Sequence, residues 1–124
     1  MLRRGDVAGA STLCDDAARS VSPDRTVQTE IEICRGKVER AAGRSARAIA
    51  LLEHALELGR TAEDPGALAD AQLALARTLP ASAAPRAIEL VRAARAGYSR
   101  ERAYHKDELV EIDAWLRAHT GDGR

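Results

Sequence analysis

The side chains able to do chemistry are few and scattered along this chain. His54, His105 and His119 lie far apart, and none has a serine or cysteine beside it in the setting of a nucleophile motif. Surface or hydrogen-bonded histidine is the stronger reading of all three. Asp15 and Asp16 sit at a helix face, and Glu63 and Asp64 sit where a helix begins, so solvation and the helix dipole account for both pairs. Catalysis asks for polar groups converging in one pocket with shifted proton affinities. Nothing of that kind is visible, so the sequence predicts no catalytic residue, no metal ligand, no cofactor and no enzymatic activity.

Cys14 and Cys34 are 20 residues apart, with no further cysteine or histidine at metal-ligand spacing. Neither zinc site nor disulfide framework is indicated, and reduced thiols in a cytoplasmic protein are expected. Should the helices that carry them be neighbours, the two thiols are expected to pack without a bridge. Cys34 belongs to an apolar stripe, which favours a buried structural role over redox sensing.

Two charged patterns invite a binding reading. Glu30, Ile33, Lys37 and Arg40 step by three, four and three, which places them on one helix face apart from the apolar stripe of the same segment. Ile33 there either faces outward between charges or packs on the next helix. Arg86, Arg92, Arg95, Arg100 and Arg102 form a basic stretch, but Asp107, Glu108 and Glu111 follow it, so a solvated face is favoured over an RNA contact.

The elements that position these residues are helices. Of the chain, 45% is hydrophobic and 31% charged, ordinary for one globular domain of 124 residues. Much of the apolar content is alanine, and only Tyr98, Tyr104 and Trp115 are aromatic, so a core must come from close approach of helix backbones. Nineteen acidic and nineteen basic residues cancel, which leaves no long-range field for nucleic acid or anionic membrane. The 17 arginines against 2 lysines read as the bias of a GC-rich bacterial genome. No signal peptide or apolar run long enough for a membrane span is present.

A phrase is repeated. RAIALLEHA at 47–55 returns as RAIELVRAA at 86–94, a shift of 39 positions, and Ala10, Leu13 and Ala17 match Ala48, Leu51 and Ala55 at a shift of 38. Between the copies, Val27, Ile31, Cys34, Val38 and Ala41 make one helical stripe that Gly43 ends, and Leu68, Ala71, Leu75 and Leu79 make another, opened by Asp64 and Pro65 and closed by Pro80. Helices are predicted at 6–21, 26–42, 45–59, 65–79, 85–97 and 102–118, with a single domain over 1–120 and a disordered tail at 121–124. Short connections make them antiparallel neighbours that bury apolar faces by stacking.

With Ala48, Leu52 and Ala55, then Ala87, Val91 and Ala94, and more loosely Ala10, Cys14 and Ala17, the second helices resemble those of tetratricopeptide repeats. Gly36, twelve residues before Ala48, falls where that family has a glycine at the touching point of a hairpin. The first helices depart from the pattern at Glu32, Arg35 and Glu39. The chain is similar to the longer, degenerate repeats in C-terminal regions of large bacterial signalling proteins, such as multidomain serine/threonine kinases and ATPase-type transcriptional regulators.

The resemblance implies an all-α, right-handed tetratricopeptide-like α-solenoid of about six antiparallel helices, two and a half hairpins plus a capping helix. It implies a non-enzymatic scaffold that binds a protein or peptide, with Glu30, Ile33, Lys37 and Arg40 lining the groove. A helical-repeat nucleic-acid binder and a self-associating module are the competing classes. Because Gly5 matches Gly43, the first repeat is expected to be incomplete, leaving Val7, Leu13 and Cys14 to join two copies in a homodimer. The last helix is expected to turn Glu108, Glu111, Asp113 and Arg117 outward and to seal the final hairpin with Leu109, Ile112 and Leu116.

Overall fold

A computed structural model of the chain describes residues 24–120 and, before them, Cys14. The first predicted helix, with Val7 and Leu13, and the tail at 121–124 lie outside the described residues. Five α-helices follow one another: α1 Arg25–Ala41, α2 Ser45–Thr61, α3 Pro65–Thr78, α4 Ala84–Ser99 and α5 Lys106–Thr120, with a 3₁₀ turn at Ala81–Ala83 before α4. Cys14 is helical as well, and the described residues contain no strand. None of these helices is long and apolar enough to cross a membrane.

The boundaries follow from local chemistry. Asp24 caps α1 by accepting from the Thr26 amide at 2.8 Å. At the other end Gly43 takes φ 82°, and the amides of Gly43 and Arg44 return to the carbonyls of Arg40 and Glu39. This is the left-handed helix stop that glycine supplies without strain. Asp64 caps α3 through the amides of Gly66 and Ala67, with Pro65 in the first turn, where its missing donor is not needed.

One boundary differs from the sequence expectation by four residues. Residues 100–105 form turns, and α5 begins at Lys106 rather than at 102. The His105 ring lies 4.6 Å from that of Tyr98 and against the start of α3, so the chain folds back here before the next helix can start. Asp107 and Glu108 then favour the new N-terminus.

Helices α1 and α2 pack along each other, as do α3 and α4; α3 also lies on both α1 and α2, and α5 lies on α4. The first pair closes around Gly36, where a Cβ would stand 2.6 Å from Leu52 Cγ. Ala48, Leu52 and Ala55 are buried, and so are their counterparts Ala87, Val91 and Ala94. One apolar cluster joins Ile33 of α1 with Leu52, Ala55 and Leu56 of α2 and Ala71, Ala74 and Leu75 of α3. A second gathers α3, α4 and α5 around Val91, Tyr98, Leu109, Ile112 and Leu116. The last helix therefore seals with the three residues expected. Its outer side is less polar than expected: Val110 is 64% exposed, while Glu108 and Asp113 turn partly inward.

The cysteines correct the sequence reading. Cys14 and Cys34 are joined in a disulfide across Cα atoms 5.9 Å apart, with Cys14 1% exposed. Two helices that bring thiols to that separation meet the geometric condition for a bridge. A spacing of 20 residues could not reveal it. The expectation of reduced, merely packed thiols is thereby withdrawn, and with it the cysteine-based argument for a cytoplasmic location. Cys14 is also too buried to offer its side chain to a second copy.

Candidate binding groove

Alternate helices bring their charged faces together. Lys37 and Arg40 of α1, Asp70, Leu73, Ala74 and Arg77 of α3, Tyr98 of α4, and Glu108 and Glu111 of α5 line a groove with a cavity of about 170 Å³. The four α3 residues are spaced i, i+3, i+4 and i+7, so one helix face supplies them all. Leu73 and Ala74 make the floor because their helix is buried on both flanks.

The polar groups of the groove divide into satisfied and unsatisfied ones. The Tyr98 hydroxyl donates to Asp70. Burial first, then that hydrogen bond and the charges of Asp70 and Glu108, raise the tyrosine far above its ordinary pKa, so it remains a neutral donor. Arg77 pairs with Glu111 at 3.1 Å, joining α3 to α5. Lys37 and Arg40 have no ion-pair partner among the described residues.

Glu30, the remaining charged residue of the predicted face, is exposed two turns before Lys37, about 10 Å along the helix. Its pKa is raised, by partial burial first and then by the negative charges of Asp64, Asp70 and Asp24. The α1 side therefore runs from an acidic end to a basic end.

Ile33 does not line this groove. It is 5% exposed and packs with Ala71, Ala74 and Leu75 of α3, taking the inward course of the two open to it. Of the four residues named from the sequence, Lys37 and Arg40 reach the groove, Glu30 lies on the exposed side of α1, and Ile33 lies beneath. Val7 and Leu13 are outside the described residues.

The other candidates disperse. His54 is exposed with Nδ1 3.0 Å from Glu32, and His119 stacks on Trp115 with ring centroids 3.7 Å apart. The basic stretch does not form one face: Arg86 forks onto Glu53 of α2 at 2.6 and 2.9 Å, and Arg95 holds Asp113 at 2.7 Å. That bond keeps Asp113 below the usual carboxylate range.

Sequence reasoning passed over Asp70, Arg77, Tyr98, Glu108 and Glu111 as groove residues. A signal existed, since α1 and α5 each carry a charged pair three residues apart and α3 carries one seven apart, on faces free of the apolar stripes. What brings those faces together is helix order, which a single helix does not encode. No family model, curated protein or solved structure matches the chain.

Proposed function

We propose that this chain is a tetratricopeptide-like helical scaffold, a right-handed α-solenoid that binds an extended peptide or protein segment in the groove of α1, α3 and α5 without catalysing a reaction. The role that suits it is a partner-binding or regulatory module of a bacterial signalling protein. Similar burial of the repeated Ala, large apolar and Ala positions supports the repeat reading, as does the close approach at Gly36.

The observation that carries the binding reading is the pair Lys37 and Arg40, without an ion-pair partner among the described residues, beside a groove whose other arginine is already matched by Glu111. A peptide carboxylate reaching this end finds two donors, and an amino group at the other end meets Glu30, which lies in the field of Asp64 and Asp70. A library of short synthetic peptides with free C-termini, screened by fluorescence polarisation, tests this. Retention of carboxylate-ended sequences, lost in Lys37→Glu with Arg40→Glu while helicity is unchanged, supports it. Peptides that bind the double variant equally well would place recognition on another face.

A further inference from the structure

Away from the groove, the flank of α5 and the turn before it form a shallow, open hollow of about 570 Å³ lined by Arg102, Ala103, Lys106, Leu109, Val110 and Asp113. Val110 at 64% and Tyr104 at 83% are the exposed large hydrophobic residues among those described, and one lines the hollow while the other adjoins Ala103 in the chain. Positions 106, 109, 110 and 113 make a straight strip two turns long, about 10 Å. We propose that this hollow is a docking site for an acidic amphipathic helix of a partner protein.

Three observations select that occupant. The first is shape: α5 packs chiefly on α4 and sends Leu109, Ile112 and Leu116 into the cluster of α3 and α4, while no helix among the described residues covers its side at Lys106 and Val110, which stay exposed. The second is the floor, which is made by Ala103, Leu109 and Val110. An extended strand laid there would leave amides and carbonyls without partners, whereas a helix satisfies its own and presents only side chains. The third is charge. Asp113 is already held by Arg95 at 2.7 Å, while Arg102 and Lys106 make no ion pair among the described residues. Carboxylates beside an apolar stripe complement them. A second copy of this chain would bring the same two cations to meet their like.

The test uses the full chain and a synthetic amphipathic helix with leucine at i, i+3, i+4 and i+7 flanked by glutamate, against the same peptide with lysine in place of glutamate. The glutamate peptide is expected to bind, to shift the NMR amide signals of Arg102, Ala103, Lys106 and Val110, and to weaken with added salt. The exposed-site change Val110→Glu should lower its affinity by about tenfold or more. Lys37→Glu with Arg40→Glu should leave it unchanged, which separates this site from the groove. The proposal is overturned if both peptides bind equally, if neither binds, or if the shifts fall on groove residues. It is also overturned if sedimentation shows a dimer that Val110→Glu dissolves, since the occupant is then a second copy.

Discussion

Helices α2 and α4 begin with the same phrase and end on opposite residues. Eleven positions after Ala48 stands Gly59, and eleven after Ala87 stands Tyr98. At Gly59 a Cβ would lie 3.2 Å from Leu68 Cα, so the backbone of α3 rests directly on α2. At Tyr98 the ring fills that space, meets His105 and reaches Asp70, and α5 follows only after the turns at 100–105. The repeated Ala, large apolar and Ala positions thus account for similar burial within each hairpin. The residue after them decides how the next helix docks.

Exchanging those two residues is the most disruptive way to probe the contrast. Tyr98→Gly removes a side chain that is 1% exposed and should cost about 3 to 5 kcal/mol, as for other large aromatic truncations in a core. Gly59→Tyr forces a ring against backbone and should cost about 1 to 3 kcal/mol or more through overpacking. Urea unfolding of both variants measures this. Equal, small losses would mean that both junctions are loose and that the difference between them has no energetic weight.

The halves also differ in what braces them. The first hairpin is tied through Cys34 to Cys14, whereas α5 is tied back by the Arg77 to Glu111 and Arg95 to Asp113 ion pairs. A bridge closing a loop of 20 residues should contribute about 3 kcal/mol, chiefly by restricting the unfolded chain. Melting with and without a thiol reductant, alongside Cys14→Ser with Cys34→Ser, is expected to show that loss. A melting curve indifferent to reductant would leave the two halves braced alike.

Helices, their boundaries at Gly43, Asp64 and Pro80, and the buried registers around Ala48 and Ala87 were legible because they rest on short-range rules: capping, proline geometry and 3.6-residue periodicity. The disulfide and the inward turn of Ile33 were not, because both depend on which helix lies beside α1. Ile33 shares a helix face with Glu30, Lys37 and Arg40, yet α3 crosses over it with Ala71 and Ala74. Small residues on the covering helix admit an isoleucine that its own helix would expose. The groove was half legible for the same reason: Lys37 and Arg40 declare themselves on α1, but Tyr98 enters from α4, whereas α2 carries Gly59 at the same distance from its copy of the phrase.

Tyr98 offers a subtler probe that keeps its volume. Tyr98→Phe removes the hydrogen bond to Asp70 and should cost about 1 kcal/mol at neutral pH. The folded protein raises the pKa of Tyr98, by burial first, so its neutral form is favoured over that in the unfolded chain. The associated stability is fully present below the unfolded value of about 10 and is lost as pH rises above it. Wild type should therefore lose melting temperature more steeply than Tyr98→Phe above about pH 10, and the gap between them should close. Parallel curves through the alkaline range would remove Tyr98 as the source.

The smallest effect lies where the two phrases touch. Arg86, the first residue of RAIELVRAA, forks onto Glu53 inside RAIALLEHA, and that bond holds its pKa above the ordinary arginine value. Both side chains are more than a third exposed, at 45% and 40%, so solvent and salt screen the pair. A double-mutant cycle of Arg86→Ala and Glu53→Ala should give a coupling of about 0.2 to 1 kcal/mol that shrinks with added salt. If the coupling instead exceeded the core effect of Gly59→Tyr, the charged rim between α2 and α4 would matter more than the core, and the residue at the phrase's end would no longer explain how successive helices dock.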